Sequence, residues 1–294
     1  MKKIILVLML LAAALLTVSC GSSPAAENES ESRAESSSDM TISLDAVDAS
    51  IVFDGDSVSV SPKTDAVSVT GTTVTLKNPG KYTLSGTLSD GQIIVDTSKE
   101  HEVELVFNGV SLSCGTSAPV YIKSCDKTTI TLADGTENTL ADASKYVFED
   151  GTTKPNACLY SKDDLTIEGG GSLNINASYN NGIASSNDVR IKGGIITVSA
   201  VNNAIKGGDS VSITGGKITI TACDDGIKSD NETEAERGFV YIEDAEIDIT
   251  ADDDAIQAVT SVTVVSGSIT VHAGGKTVNC DGDVNTADGV ITEK

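Results

Sequence analysis

The chain has 294 residues and carries 43 acidic against 20 basic side chains, a formal charge of −23. A surface of that sign excludes nucleic-acid binding, which needs stripes of Lys and Arg against phosphate, and it excludes direct ionic capture of acidic glycans unless divalent cations stand between. Aromatic residues make up only 3% and Trp is absent, which leaves little for stacking against neutral sugars.

In chain order, Lys2 and Lys3 followed by the uncharged apolar run Ile4 to Leu16 read as an export signal rather than a membrane span. The signal ends in Thr17-Val18-Ser19-Cys20, which resembles the lipobox of bacterial lipoproteins. Cleavage there makes Cys20 the lipidated N-terminus, anchored to the membrane and facing outside the cytoplasm. Thr17 stands where Leu is usual, so ordinary secretion is the alternative. Residues 21–43, rich in Ser and Glu with almost no large apolar side chain, cannot offset the entropy of ordering and read as a tether. Residues 44–294 are expected to form one domain.

A fixed repeat dominates that domain. Tyr179–Ala200, Val201–Ala222, Cys223–Ala251 and Asp252–Ala273 align with a period of 22 residues, once stretched to 29 by a polar insertion within Ser229 to Arg237. Each unit alternates β-branched residues, as in Val211, Ile213, Ile218 and Ile220 around Gly215-Gly216, which predicts strand, turn, strand. One such unit cannot bury its apolar face alone, but stacked units share a core. The spacing therefore predicts an all-β fold, a single-stranded parallel β-helix. Ile183, Ile205, Ile227, Ile256 and Val278 form an inward ladder with neighbours about 4.8 Å apart. Looser coils are expected upstream, through Val67, Val69, Val74 and Leu76 and onward. Asn156-Ala157-Cys158 reads as a degenerate corner that puts Cys158 on the ladder. Cys114, Cys125, Cys158, Cys223 and Cys280 read as buried small hydrophobes, although export permits a pair such as Cys114 and Cys125 to oxidise.

Alignment on the ladder places Asn181, Asn203, Asp225 and Asp254 in one column and Asn180, Asn202, Asp224 and Asp253 in the next. Stacked Asn side chains hydrogen-bond along the axis, whereas stacked carboxylates repel unless a cation lies between them. Calcium suits such a gap, so Asp224, Asp225, Asp252, Asp253 and Asp254 are the candidate ligands, against the alternative of a solvated acidic face. Lys206 and Lys228 align one residue after the ladder position. They neutralise the acids or contact sugar carboxylates, with Asn203 as a further candidate contact. The competing role makes Lys228 the base of a lyase. Tyr121, Tyr160 and Tyr179 are the candidate stacking rings. No Ser-His-Asp set, phosphate loop or dinucleotide fingerprint is present.

The segments Gly86–Asp96, Leu132–Asp142 and Asp224–Asn231, together with the Ile-Thr-Gly-Gly corner, resemble the bacterial carbohydrate-binding domain family of exported β-helix proteins, related in architecture to pectate lyases. The resemblance implies a right-handed winding, bound Ca2+ and affinity for plant cell-wall polysaccharide, acidic pectin-like chains included. The expected function is non-catalytic polysaccharide binding by a monomeric surface lipoprotein. A calcium-dependent lyase and a structural spacer or adhesin are the alternatives.

Overall fold

The 22-residue phase becomes the backbone pairing of the folded chain. A computed structural model describes residues 46–148, 152 and 154–294; the export signal, Cys20 and the tether lie outside the described residues. Ser43–Lys294 forms one compact unit. In its repeating part each turn lays down three short strands, and each strand pairs in parallel with its counterpart one turn on.

The first face runs through Lys127–Leu132, Asp164–Gly169, Asp188–Ile191, Ser210–Ile213, Phe239–Ile242, Ser261–Val264 and Asp283–Thr286. The second runs through Glu137–Asp142, Ser172–Ala177, Ile195–Ala200, Lys217–Ala222, Ala245–Ala251, Gly267–Ala273 and Ile291–Glu293. The third runs through Val120–Ser124, Ala157–Ser161, Asn181–Ser185, Ile205–Gly207, Ile227–Ser229, Ile256–Ala258 and Val278–Cys280. Toward the N-terminal end the first two faces merge, because the 13-residue strand Glu102–Cys114 pairs with both. The result is a parallel β-solenoid.

The apolar columns pair in the register that the alternation predicts. Ile183 sits against Ile205, Ile205 against Ile227, Ile227 against Ile256 and Ile256 against Val278. The insertion leaves this phase intact. One continuous apolar cluster runs from Ala49 to Val271, and each fully buried Ile or Val side chain contributes about 1.5–3 kcal/mol by leaving water.

Three expectations change. Leu159, not Cys158, pairs with Ile183; Cys158 occupies the position of Gly182, one residue earlier, and is nonetheless fully buried in the core. Val67–Thr70 and Thr73–Leu76 form an antiparallel hairpin rather than a coil, as do Val47–Gly55 and Ser57–Ser61. All five described cysteines are free, and while Cys114, Cys125 and Cys158 are buried, Cys223 is exposed and Cys280 intermediate. The two late cysteines lie at a corner and on the last coil, where fewer neighbours cover them.

In four successive coils the residue before the ladder position is Gly or Ala. Ala204 and Ala255 alternate there with Gly182 and Gly226. A methyl group on Gly226 would stand 2.6 Å from Ile249 Cγ2 and 2.7 Å from the carbonyl oxygen of Ala255. Gly226→Ala is therefore expected to destabilise the fold by about 1–3 kcal/mol through overpacking, read as a lower midpoint in urea unfolding.

Candidate cation corner and the adjoining third face

The corner joins the second face to the third, and its side chains follow from what each residue type can donate. Asn202 Nδ2 donates to Asn180 Oδ1 at 2.6 Å, and Asn203 Nδ2 to Asn181 Oδ1 at 3.0 Å. One turn later both columns change from Asn to Asp, and a carboxylate has no N–H to pass along. The backbone takes over: Asp225 N–H donates to Asn203 Oδ1 at 3.3 Å, Asp254 N–H to Asp225 Oδ1 at 3.2 Å, and Lys276 N–H to Asp254 Oδ1 at 2.7 Å. The inner column is thus a continuous hydrogen-bonded ladder buried within the corner.

The remaining oxygens have different partners. Asp225 Oδ2 accepts from Lys228 Nζ at 2.7 Å, and Asp254 Oδ2 accepts from Asn279 Nδ2 at 2.6 Å. Asp254, 5% exposed, is not among the three carboxylates that converge. Asn203, 3% exposed, spends its amide on Asn181, Asn202 and the Asp225 N–H, so it holds the corner and is not placed to contact a ligand. Asp252 is exposed and stands apart from the cluster.

Asp224, Asp225 and Asp253 do converge. One oxygen from each lies within 4.8 Å of the others, which is about twice a calcium–oxygen distance. Asp224 is half-buried, Asp225 buried and Asp253 exposed. Burial, and then repulsion from Asp225 and Asp253, push the Asp224 carboxyl above the usual carboxylate range despite Lys228 nearby. Three carboxylates against one ammonium leave an excess of two negative charges, the charge of one hard divalent cation. The donor set thus fits calcium, with Asp224 and Asp253 reaching outward and Asp225 anchoring the floor.

Lys228 is held as an ammonium. Burial alone would lower its pKa, but the Asp225 hydrogen bond and the charges of Asp225, Asp224 and Asp230 outweigh burial and raise it. A proton-abstracting base works from the opposite, depressed state. Lys206 shares the register of Lys228 and pairs with Asp230 at 2.5 Å.

The three tyrosines do not form open platforms. Tyr160 is 1% exposed, its hydroxyl hydrogen-bonds with Ser186 Oγ at 2.7 Å, and Lys154 Nζ lies 5.1 Å from its ring centre. Tyr179 stacks on Tyr146 with centroids 4.0 Å apart. Tyr121 is half-buried beside Tyr160. Tyr146 and Lys154, which lie where the repeat is broken, pack on Tyr179 and Tyr160 respectively. Reading the strand registers onward also adds Gln257 and Asn279, which continue the Lys206–Lys228 column.

The carbohydrate-binding domain-containing protein family matches residues 70–294. The chain belongs to that family. A carbohydrate-binding domain-containing protein of Acetivibrio thermocellus is 55% identical over 224 residues, covering 76% of this chain and 78% of the relative. Among solved structures, the gadolinium derivative of a polysaccharide lyase-like protein from C. thermocellum superposes with a TM-score of 0.83 at 51% identity, covering 84% of this chain and all of the other. The parallel solenoid is thus shared with a relative named for its likeness to lyases, while the family name concerns binding.

Proposed function

We propose that the chain is an exported, monomeric surface lipoprotein, anchored through Cys20, that binds extracellular polysaccharide without cleaving it, using calcium at the corner of a right-handed β-helix. The supporting observation is the convergence of Asp224, Asp225 and Asp253 within 4.8 Å in a chain of carbohydrate-binding family. Calcium held there turns a repulsive edge into one that accepts uronate carboxylates or sugar hydroxyls. The protein's own share is to fix three oxygens and to exclude Lys228 from the outer side by tying it to Asp225. That a relative is known as a gadolinium derivative accords with oxygen-rich sites in this fold, since such ions prefer hard ligands.

Pull-down on insoluble plant cell-wall polysaccharide tests this reading. Retention should fall at least tenfold with EDTA, return with added calcium, and fall similarly in Asp224→Asn/Asp253→Asn. Unchanged retention in both arms would reject the cation. The second reading, a calcium-dependent uronate lyase, draws on the lyase-like relative. It requires an unsaturated product absorbing in the ultraviolet, and the ion-paired Lys228 predicts none.

A further inference from the structure

Beside the cation corner, the third face carries a concavity of about 280 Å³ lined by Lys228, Ser229, Asp230, Glu232, Gln257 and Asp281, among others. The only stretched coil among the aligned units builds it. Asp230 and Glu232 come from the insertion, which stands up from an otherwise flat column of Lys228, Gln257 and Asn279. This wall is fixed in place: Asn231 Nδ2 and Arg237 Nη1 both donate to Asp209 one turn earlier, at 2.7 and 2.6 Å, and Asn231 Oδ1 caps the N–H groups of Thr233 and Glu234.

One polar atom in the lining has no partner: the Oε1 of Gln257, on the outward column with Lys228, is buried and unpaired. Ser229 contributes backbone to the lining, its side chain facing inward on the same side of the strand as Ile227. Leaving such groups unpaired is costly, which is a feature of sites completed by a ligand. The terminal torsion of Gln is soft, so its oxygen can turn to meet an entering donor.

The lining also decides the ligand class. Asp230 is paired with Lys206 and Lys228 with Asp225, which leaves Glu232 and Asp281 as the unneutralised charges of the lining, so an anionic sugar is repelled. Asp230, Glu232 and Asp281 do not converge as the corner trio does; among the described residues the 4.8 Å cluster is Asp224, Asp225 and Asp253, so the concavity is not a second cation site. No aromatic ring lines it, so recognition must proceed through hydroxyl groups.

We infer that this concavity is a subsite for one neutral sugar unit of a glycan chain, whose hydroxyls donate to Gln257 Oε1 and to the carboxylates. The inference rests on the polysaccharide-binding reading and narrows it: the sugar seated here is uncharged, and any uronate contact falls at the calcium corner. Small-molecule sites begin near this size, which suits a single ring better than a chain.

Titration calorimetry on the full mature chain with saturating calcium tests it, using xylohexaose, cellohexaose and mannohexaose as neutral probes and hexagalacturonate and a chitosan hexamer as charged ones. At least one neutral probe should bind, at least tenfold more weakly to Gln257→Ala, with an unchanged thermal midpoint. Binding by charged probes alone, or neutral binding untouched by Gln257→Ala, would overturn the subsite while polymer retention in the wild type kept the broader reading intact. Absence of all oligosaccharide and polymer binding would end both.

Discussion

Asp225→Ala is expected to lose calcium binding and about 1–3 kcal/mol of stability, whereas Asp225→Asn is expected to lose the calcium and keep the fold within about 1 kcal/mol. The difference lies in the inner ladder. Alanine removes the Oδ1 that accepts the Asp254 N–H and the Oδ2 that holds Lys228, stranding a buried donor and a half-buried ammonium. Asparagine restores what Asn203 already does one turn earlier: it can donate back through Nδ2 and accept forward through Oδ1. Its missing charge removes the floor of the cation site, and Nδ2 in place of Oδ2 releases the partly exposed Lys228, while the inner ladder keeps its hydrogen bonds. Urea unfolding paired with calcium calorimetry separates the two effects. Equal calcium affinity in wild type and Asp225→Asn would mean that any ion sits elsewhere.

Ile227→Ala should cost about 2–5 kcal/mol, the range for a large-to-small change in a packed core. Ile227 is fully buried between Ile205 and Ile256 of the neighbouring turns, so the missing methyls leave a gap in a column that can collapse only by shortening the stack. Because turns in a solenoid are stabilised mainly by their neighbours, the loss should be felt unequally. Few turns follow Ile227, and amides from Ile256 onward should exchange much faster in the variant while those of Glu102–Cys114 stay protected. Uniform loss of protection along the chain would contradict the nearest-neighbour picture. A change such as Thr219→Ala, on the exposed side of the same fold, should leave the midpoint within about 0.5 kcal/mol.

The inward columns were legible because burial enforces them. A period-2 pattern of Val and Ile admits one register once a common core must be shared, and Val189, Val211, Val240 and Val262 pair as their spacing requires. Corners obey no such alternation. Nothing in Asp252-Asp253-Asp254 says which carboxylate turns inward, and the answer depends on the Lys276 N–H and Asn279 amide that arrive a turn later. The same holds for Cys158, displaced by one position because the degenerate corner Asn156-Ala157-Cys158 has no charged or glycine residue to mark its phase. The burial of Tyr160 is legible only in part: Tyr121 and Ser186 beside it belong to coils, but Lys154, over its ring, comes from outside the repeat, where an alignment has no column. Of the site itself, the register of Asp224 above Asp253 is readable in the spacing, which places Lys228 near Asp225 but does not show the 2.7 Å ion pair between them.

A crystal of the mature chain grown with calcium, measured for anomalous scattering after exchange to a lanthanide, addresses the cation directly. A single strong peak within bonding distance of Asp224, Asp225 and Asp253, absent in Asp225→Asn, is the predicted result. A lanthanide bound only at other acidic patches, with the three carboxylates hydrated as an ordinary solvent-facing edge, would contradict it.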